Sequence, residues 1–174
     1  TSNRTIPVKL LEENRTIINE HLEAGGRGKI SFTHIIARAV VQAVRHFPSL
    51  NSSFEIINDI PHRRVRRAIN LGVAVDLERK DGRGLVVPNV KDAGGFDFPS
   101  FVAAYDDRIA RARQGRLTVD DFAGTTLSIT NPGTLGTELS VPRLMAGQGL
   151  IVGIGSIGYP AEFAVGITAA SATL

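Results

Sequence analysis

Gly124-Thr125-Thr126-Leu127-Ser128-Ile129-Thr130-Asn131-Pro132-Gly133-Thr134-Leu135-Gly136 is the stretch on which the reading of this chain turns. Hydroxyl and apolar side chains alternate over residues 126–130, the period of a strand with two unlike faces. The strand delivers Thr130 to its end, where a loop carrying Gly133 and Gly136 begins. A hydroxyl at such a rim can donate a hydrogen bond to a developing oxyanion, and the glycines would let an extended substrate arm come close. An ordinary exposed threonine followed by an Asn-Pro turn has the same spacing, so the pattern alone leaves both readings open.

Working outward, a second strand is predicted over 149–154, beyond a loop rich in glycine and proline. Upstream, Thr118 and Asp121 form a near capping box. Before it a helix is predicted from Asp97, a capping residue, through Pro99 in the first turn to about Gln114, with Gly115 as its stop. Phe101, Ala104, Tyr105, Ile109 and Ala112 would face inward and the arginines outward. The centre of the chain reads as sheet, with β-rich segments at 53–57, 65–69, 71–76 and 85–90. Asp81-Gly82-Arg83-Gly84 is a hairpin signal. A helix over 8–22 would bury Leu10, Leu11, Ile17, Ile18 and Leu22, and a glycine-rich run ends it. A second helix, N-capped by Ser31 and ended by Pro48, would bury Ile35, Ile36, Ala39, Val40, Ala43, Val44 and Phe47. Helices and strands fall in runs without strict alternation, which favours an α+β or mixed-sheet sandwich over a doubly wound fold.

The totals agree with a globular chain. The 174 residues fit one domain, spanning 1–174, and 43% of them are hydrophobic against 21% charged. A net charge of +3 demands no polyanionic partner. With no cysteine, disulfides, thiolate metal sites and cysteine nucleophiles are excluded, and no metal site is expected. No signal-peptide core or membrane-length apolar run occurs, so a soluble, cytoplasmic protein is expected. Gly153-Ile154-Gly155-Ser156-Ile157-Gly158 has the wrong spacing and context for a dinucleotide loop.

The opening stretch resembles the Thr-Ile-Ser/Thr-Asn-x-Gly signature of the dihydrolipoamide acyltransferases of 2-oxoacid dehydrogenase complexes. Other stretches are similar in the same order: Lys29-Ile30-Ser31-Phe32-Thr33-His34, Phe47-Pro48-Ser49-Leu50-Asn51, Asn70-Leu71-Gly72-Val73-Ala74-Val75-Asp76 with Gly84-Leu85-Val86-Val87-Pro88-Asn89-Val90, and Asp121-Phe122-Ala123-Gly124. Asn14-Arg15-Thr16-Ile17-Ile18-Asn19, Pro142-Arg143-Leu144-Met145-Ala146-Gly147-Gln148-Gly149 and Tyr159-Pro160-Ala161-Glu162-Phe163 resemble more narrowly the acyltransferase domain fused to the decarboxylase in actinobacterial 2-oxoglutarate dehydrogenase.

The resemblance implies a chloramphenicol acetyltransferase-like fold, a mixed sheet with helices packed on it, assembled as a homotrimer. It implies transfer of an acyl group, succinyl in the 2-oxoglutarate case, between a lipoyl thiol and coenzyme A. Lipoyl-bearing, decarboxylase and dihydrolipoamide dehydrogenase components are the implied partners. Thiamine diphosphate and magnesium are implied only where a decarboxylase domain follows. Thr130 matches the oxyanion-stabilising position, with Asn131 and Gly133 beside the substrate and coenzyme A path. The family's base is a histidine in a His-x-x-x-Asp-Gly motif, or His-Arg-x-x-x-Gly in the fused enzymes. The chain ends at Ala170-Ser171-Ala172-Thr173-Leu174 before any such motif, so the fold is expected to be C-terminally incomplete and the chain inactive alone.

None of His21, His34, His46 or His62 matches the catalytic position, and each is expected to be structural or exposed. The run His62-Arg63-Arg64-Val65-Arg66-Arg67 could contact coenzyme A phosphates or nucleic acid, but a solvated edge strand is the preferred reading. Asp106 and Asp107 read as an exposed helix face. A non-catalytic, trimer-forming scaffold is the alternative to an enzyme.

Overall fold

A computed structural model describes residues 1–79 and 82–158. Residues 159–163, 170–174 and Asp81, each used above, lie outside them. Helix α1 (Lys9–Ala24) and helix α2 (Phe32–His46) lead into the hairpin β1 (Ser52–Ile57) and β2 (Ile60–Val65). Strand β3 (Leu71–Val73), the hairpin β4 (Val75–Arg79) and β5 (Gly82–Val86), and the short β6 (Asn89–Val90) follow. Helix α3 (Phe98–Arg113), β7 (Leu127–Thr130) and β8 (Leu150–Gly153) complete the described elements.

The central sheet has the order β6-β3-β7-β8. β3 pairs antiparallel with β6 and parallel with β7, and β7 pairs parallel with β8. This is a mixed sheet, as the ordering of elements predicts. Leu71, Val73, Leu127 and Ile129 point from it into a core shared with Ala37, Val41 and Val44 of α2 and Phe101, Tyr105 and Ala112 of α3. The opposite face of β7 is polar yet also covered, with Thr126 and Ser128 buried. A Cβ at Gly72 would come within 2.7 Å of Ser128 Oγ and 2.8 Å of Thr125 Cγ2, so only glycine allows β3 and β7 to lie this close.

Local chemistry forms the helices. Asp97 accepts from the Ser100 amide at 2.9 Å and caps α3. Ser31 caps α2, with His34 in the place Glu or Gln usually takes in a capping box: the Ser31 amide donates to His34 Nδ1 at 2.9 Å. That leaves Nε2 to donate to Asp106 Oδ1 at 2.9 Å on α3, and the ring meets Tyr105 edge-on at 4.6 Å. Asp106 is therefore a tie between the helices as well as part of an exposed face.

Several expectations are corrected. The buried stripe of α2 runs through His34, Ala37, Val41 and Val44, rotated from the one expected, while Ala39, Ala43 and Phe47 are exposed. In α1, Leu10, Ile17 and Ile18 face solvent and Asn19 is the buried residue. Asn19 bonds both backbone groups of Ile30, at 2.8 and 3.0 Å. The second central strand occupies Ile60–Val65, not 65–69, because Asn58 and Asp59 turn the chain with positive φ of 52° and 64°. Gly82 to Gly84 belong to β5, and Arg79 pairs with Gly82. Strand β2 is exposed throughout and Arg64 meets Glu55 at 2.9 Å, as a solvated hairpin edge requires.

Arg108 and Arg111 turn inward, against expectation, to Asp121 at 3.2 and 2.6 Å. Thr118 donates to the same carboxylate from its amide at 2.7 Å and its hydroxyl at 3.0 Å. Burial of Asp121 works to raise its pKa, but the Thr118 donors and the two arginines outweigh it and hold the carboxyl below the ordinary value. A depressed folded pKa stabilises above about pH 4, and that stability is lost as pH falls through the folded value. Asp121→Asn is expected to cost about 2 kcal/mol at neutral pH. Urea unfolding at pH 7 and pH 3 should show a smaller loss on acidification in the variant than in the parent.

Candidate functional site

Thr130 closes β7 at its C-terminal end. Its backbone is fixed by pairing with Gly153 and by the Ile154 amide, which donates to the Thr130 carbonyl at 2.8 Å. By strand alternation its side chain shares the face of Thr126 and Ser128, away from the helices. It is partly exposed, and its hydroxyl makes no hydrogen bond among the described residues. A rigid backbone under an unengaged hydroxyl leaves the donor available to a ligand.

The loop beyond is held from two directions. Asn131 Nδ2 donates to Thr33 Oγ1 at 2.8 Å, tying the loop to the first turn of α2. Pro132–Leu135 form a 3-10 turn ended by Gly136 at φ 81°. The Gly133 amide donates to the Ile154 carbonyl at 3.1 Å. A Cβ at Gly133 would strike the Gly155 carbonyl, and one at Gly155 would strike the Glu138 carbonyl. The chain's own layered backbone thus already requires glycine at 133, apart from any need of a substrate.

The candidate bases are engaged or lie elsewhere. His34 follows Thr33, but its ring nitrogens serve Ser31 and Asp106. His46 closes α2, about 20 Å along the axis from Thr33 at 1.5 Å per residue. His21 is in the last turn of α1, and His62 lies on exposed β2, with Nδ1 2.8 Å from the Ile60 carbonyl oxygen. Tyr105 stays protonated: burial, with the neighbouring Asp106 charge, pushes its pKa to about 12.

A cleft of about 540 Å³ opens beside the N-terminal approach to β7, lined by Thr125, Phe122 and Gln148 among others but not by Thr130. Five residues of extended chain, about 16 Å, separate Thr125 from Thr130. Two side chains missed by the sequence reading shape that approach. Asn89 donates to the Ala123 carbonyl and Thr125 Oγ1, and Asn70 donates to the Gly124 carbonyl and accepts from the Asp92 amide. Their partners are remote in sequence, so no local pattern announces them.

Residues 1–170 match the model of the acyltransferase (catalytic domain) family of the 2-oxoacid dehydrogenases. The chain is 52% identical over 164 residues to the multifunctional 2-oxoglutarate metabolism enzyme of Mycobacterium sp. (strain JLS), covering 94% of this chain and 13% of that protein. It is 51% identical, with the same coverage, to the 2-oxoglutarate dehydrogenase E1/E2 component of Corynebacterium glutamicum. The chain thus spans 13% of the length of these curated relatives, and their names bear out the expected resemblance to the fused actinobacterial enzymes. The dihydrolipoamide acetyltransferase of Azotobacter vinelandii superposes with a TM-score of 0.74 at 22% identity, over 86% of this chain and 58% of that one. That likeness bears out the expected α+β acyltransferase fold.

Gly133→Ala is expected to lower stability by about 1–3 kcal/mol, the usual cost of overpacking. Amide resonances at Thr130, Asn131 and Gly155 should move with it while those of α1 stay in place, which a comparison of 15N spectra checks.

Proposed function

From the premise that this chain belongs to the acyltransferase (catalytic domain) family of the 2-oxoacid dehydrogenases, we propose that it serves acyl transfer between a dihydrolipoyl thiol and coenzyme A, with succinyl as the acyl group. The observation that carries this is the Thr130 hydroxyl, which makes no hydrogen bond among the described residues and stands on an immobilised strand end. There it would donate to the oxygen of a thioester carbonyl as the carbon becomes tetrahedral. Asn131 and Gly133 would border the pantetheine arm, and the Thr33–Asn131 bond supports that border. Thiol attack also needs a base. None of the histidines in the described residues is placed for it, so the base would come from a group beyond them, including one on a neighbouring copy. The working form would be a homotrimer engaging lipoyl-bearing, decarboxylase and dihydrolipoamide dehydrogenase components. The family match favours the enzymatic reading over a scaffold role.

The test is acyl transfer from succinyl-dihydrolipoamide to coenzyme A by the natural full-length protein. Thr130→Val should lower kcat by roughly 10²–10³-fold with little change in KM, the scale of one lost oxyanion donor, and Thr130→Ser should retain most activity. A parent without turnover, or a Thr130→Val variant with parental kcat, would refute the assignment. Sedimentation of the same protein should give a trimer, and a stable monomer would remove that part.

A further inference from the structure

The cleft beside the start of β7 has a chemistry separate from that of Thr130. Its walls include Leu85, Val87, Phe122 and Met145, and among the described residues no Asp or Glu lines it. Gln148 stands at its inner end and is only 8% exposed. Its side-chain oxygen accepts from Ser128 Oγ at 2.8 Å, and its amide nitrogen has no partner among the described residues. That nitrogen is not itself buried, so it can donate to an oxygen placed in the cleft.

Arg66 lines the same cleft and is under-bonded too. Its Nε is buried without a partner, and Nη2 reaches Glu55 only at 3.4 Å. Arg64 already holds that carboxylate at 2.9 Å, so positive charge at Arg66 is incompletely neutralised. The Arg66 backbone is anchored by Asn51, which accepts from its amide and donates to its carbonyl, each at 2.9 Å. Between these side chains, the Ala146 and Gly147 amides make no hydrogen bond among the described residues. Donors are gathered at a cleft with apolar walls, where Glu55 is the carboxylate already paired with Arg66 among the described residues.

We propose that this cleft binds an amphiphile whose anionic head, a carboxylate or phosphate, meets Gln148 and Arg66 while its apolar chain lies along Leu85, Val87, Phe122 and Met145. The proposal goes beyond the acyl-transfer reading and does not use Thr130. Arginine and a side-chain amide suit an anionic oxygen, and burying a short hydrocarbon chain supplies the rest.

The test uses the 174-residue chain, 15N-labelled and titrated with octanoate, octyl phosphate, octanol and inorganic phosphate. Octanoate or octyl phosphate should bind saturably and at least tenfold tighter than octanol or phosphate, with shifts centred on residues 145–148 and Phe122. The tighter of the two identifies the head group. Arg66→Gln and Gln148→Leu should each weaken binding tenfold or more. Because Gln148→Leu also strips Ser128 of its partner, Leu85→Asp serves as a second variant: the side chain is 67% exposed, so the fold is kept while a charge repels the ligand. Octanol binding as tightly as octanoate, phosphate alone binding as tightly, affinity unchanged in all folded variants, or shifts centred elsewhere would each overturn the proposal. None of these outcomes bears on Thr130 or on acyl transfer, so the two readings fail separately.

Discussion

The parallel pairing of β7 between β3 and β8 constrains everything around it. A parallel sheet must be covered on both faces, and here one face takes the helices while the other takes Ser128, Gln148 and the segment around Thr125. Parallel neighbours also need long connections, and these hold the other features of the fold. The hairpin β4–β5, β6 and helix α3 lie between β3 and β7, and the loop before Gln148 lies between β7 and β8. The glycine at 72 is the condition on which the pairing stands, since a single methyl would push β3 from β7.

From that pairing the site geometry follows. Pairing with β3 holds β7 as far as Ile129 and pairing with β8 continues to Thr130, so its hydroxyl projects from a backbone with little freedom to move. Pre-organisation of this kind is what a donor to a transient charge requires, because a donor that must reorient during the reaction loses much of its effect. The tie from Asn131 to Thr33 extends the same rigidity into the loop.

What was legible in the sequence was whatever depends on neighbours a few residues away. The Asp97 cap, the Thr118–Asp121 box and the alternation through β7 are of this kind, and each is where the spacing places it. The contacts that were not legible join distant segments. His34 looks like an ordinary first-turn residue until Asp106 arrives 72 positions later, and Asn70 reaches Gly124 across 54. The α2 stripe was misjudged for a related reason. An Ala- and Val-rich helix is apolar nearly all round, so periodicity alone does not say which arc meets the sheet. The position of β2 was recoverable, because Asn58-Asp59 between two isoleucines is a turn signal, but the arginine run drew the strand toward it. At the site, Thr130 is proposed from the resemblance to the family signature, while the packing reason for Gly133 requires the backbone of Gly155.

The attachment of α1 has a consequence for how the molecule comes apart. The helix buries one residue, Asn19, whose amide group grips the Ile30 backbone, with Arg15 laid over the Phe32 ring 4.3 Å away as a lesser contact. Leu11 and Leu22 are half-buried while Leu10, Ile17 and Ile18 are exposed, so the helix has a weaker apolar hold on the body than the strands have, and its opening should be less coupled to loss of the sheet. Under native conditions α1 would therefore exchange its amide hydrogens and admit a protease well before the strands do. Such an opening would displace the first two dozen residues and leave the rest of the body intact.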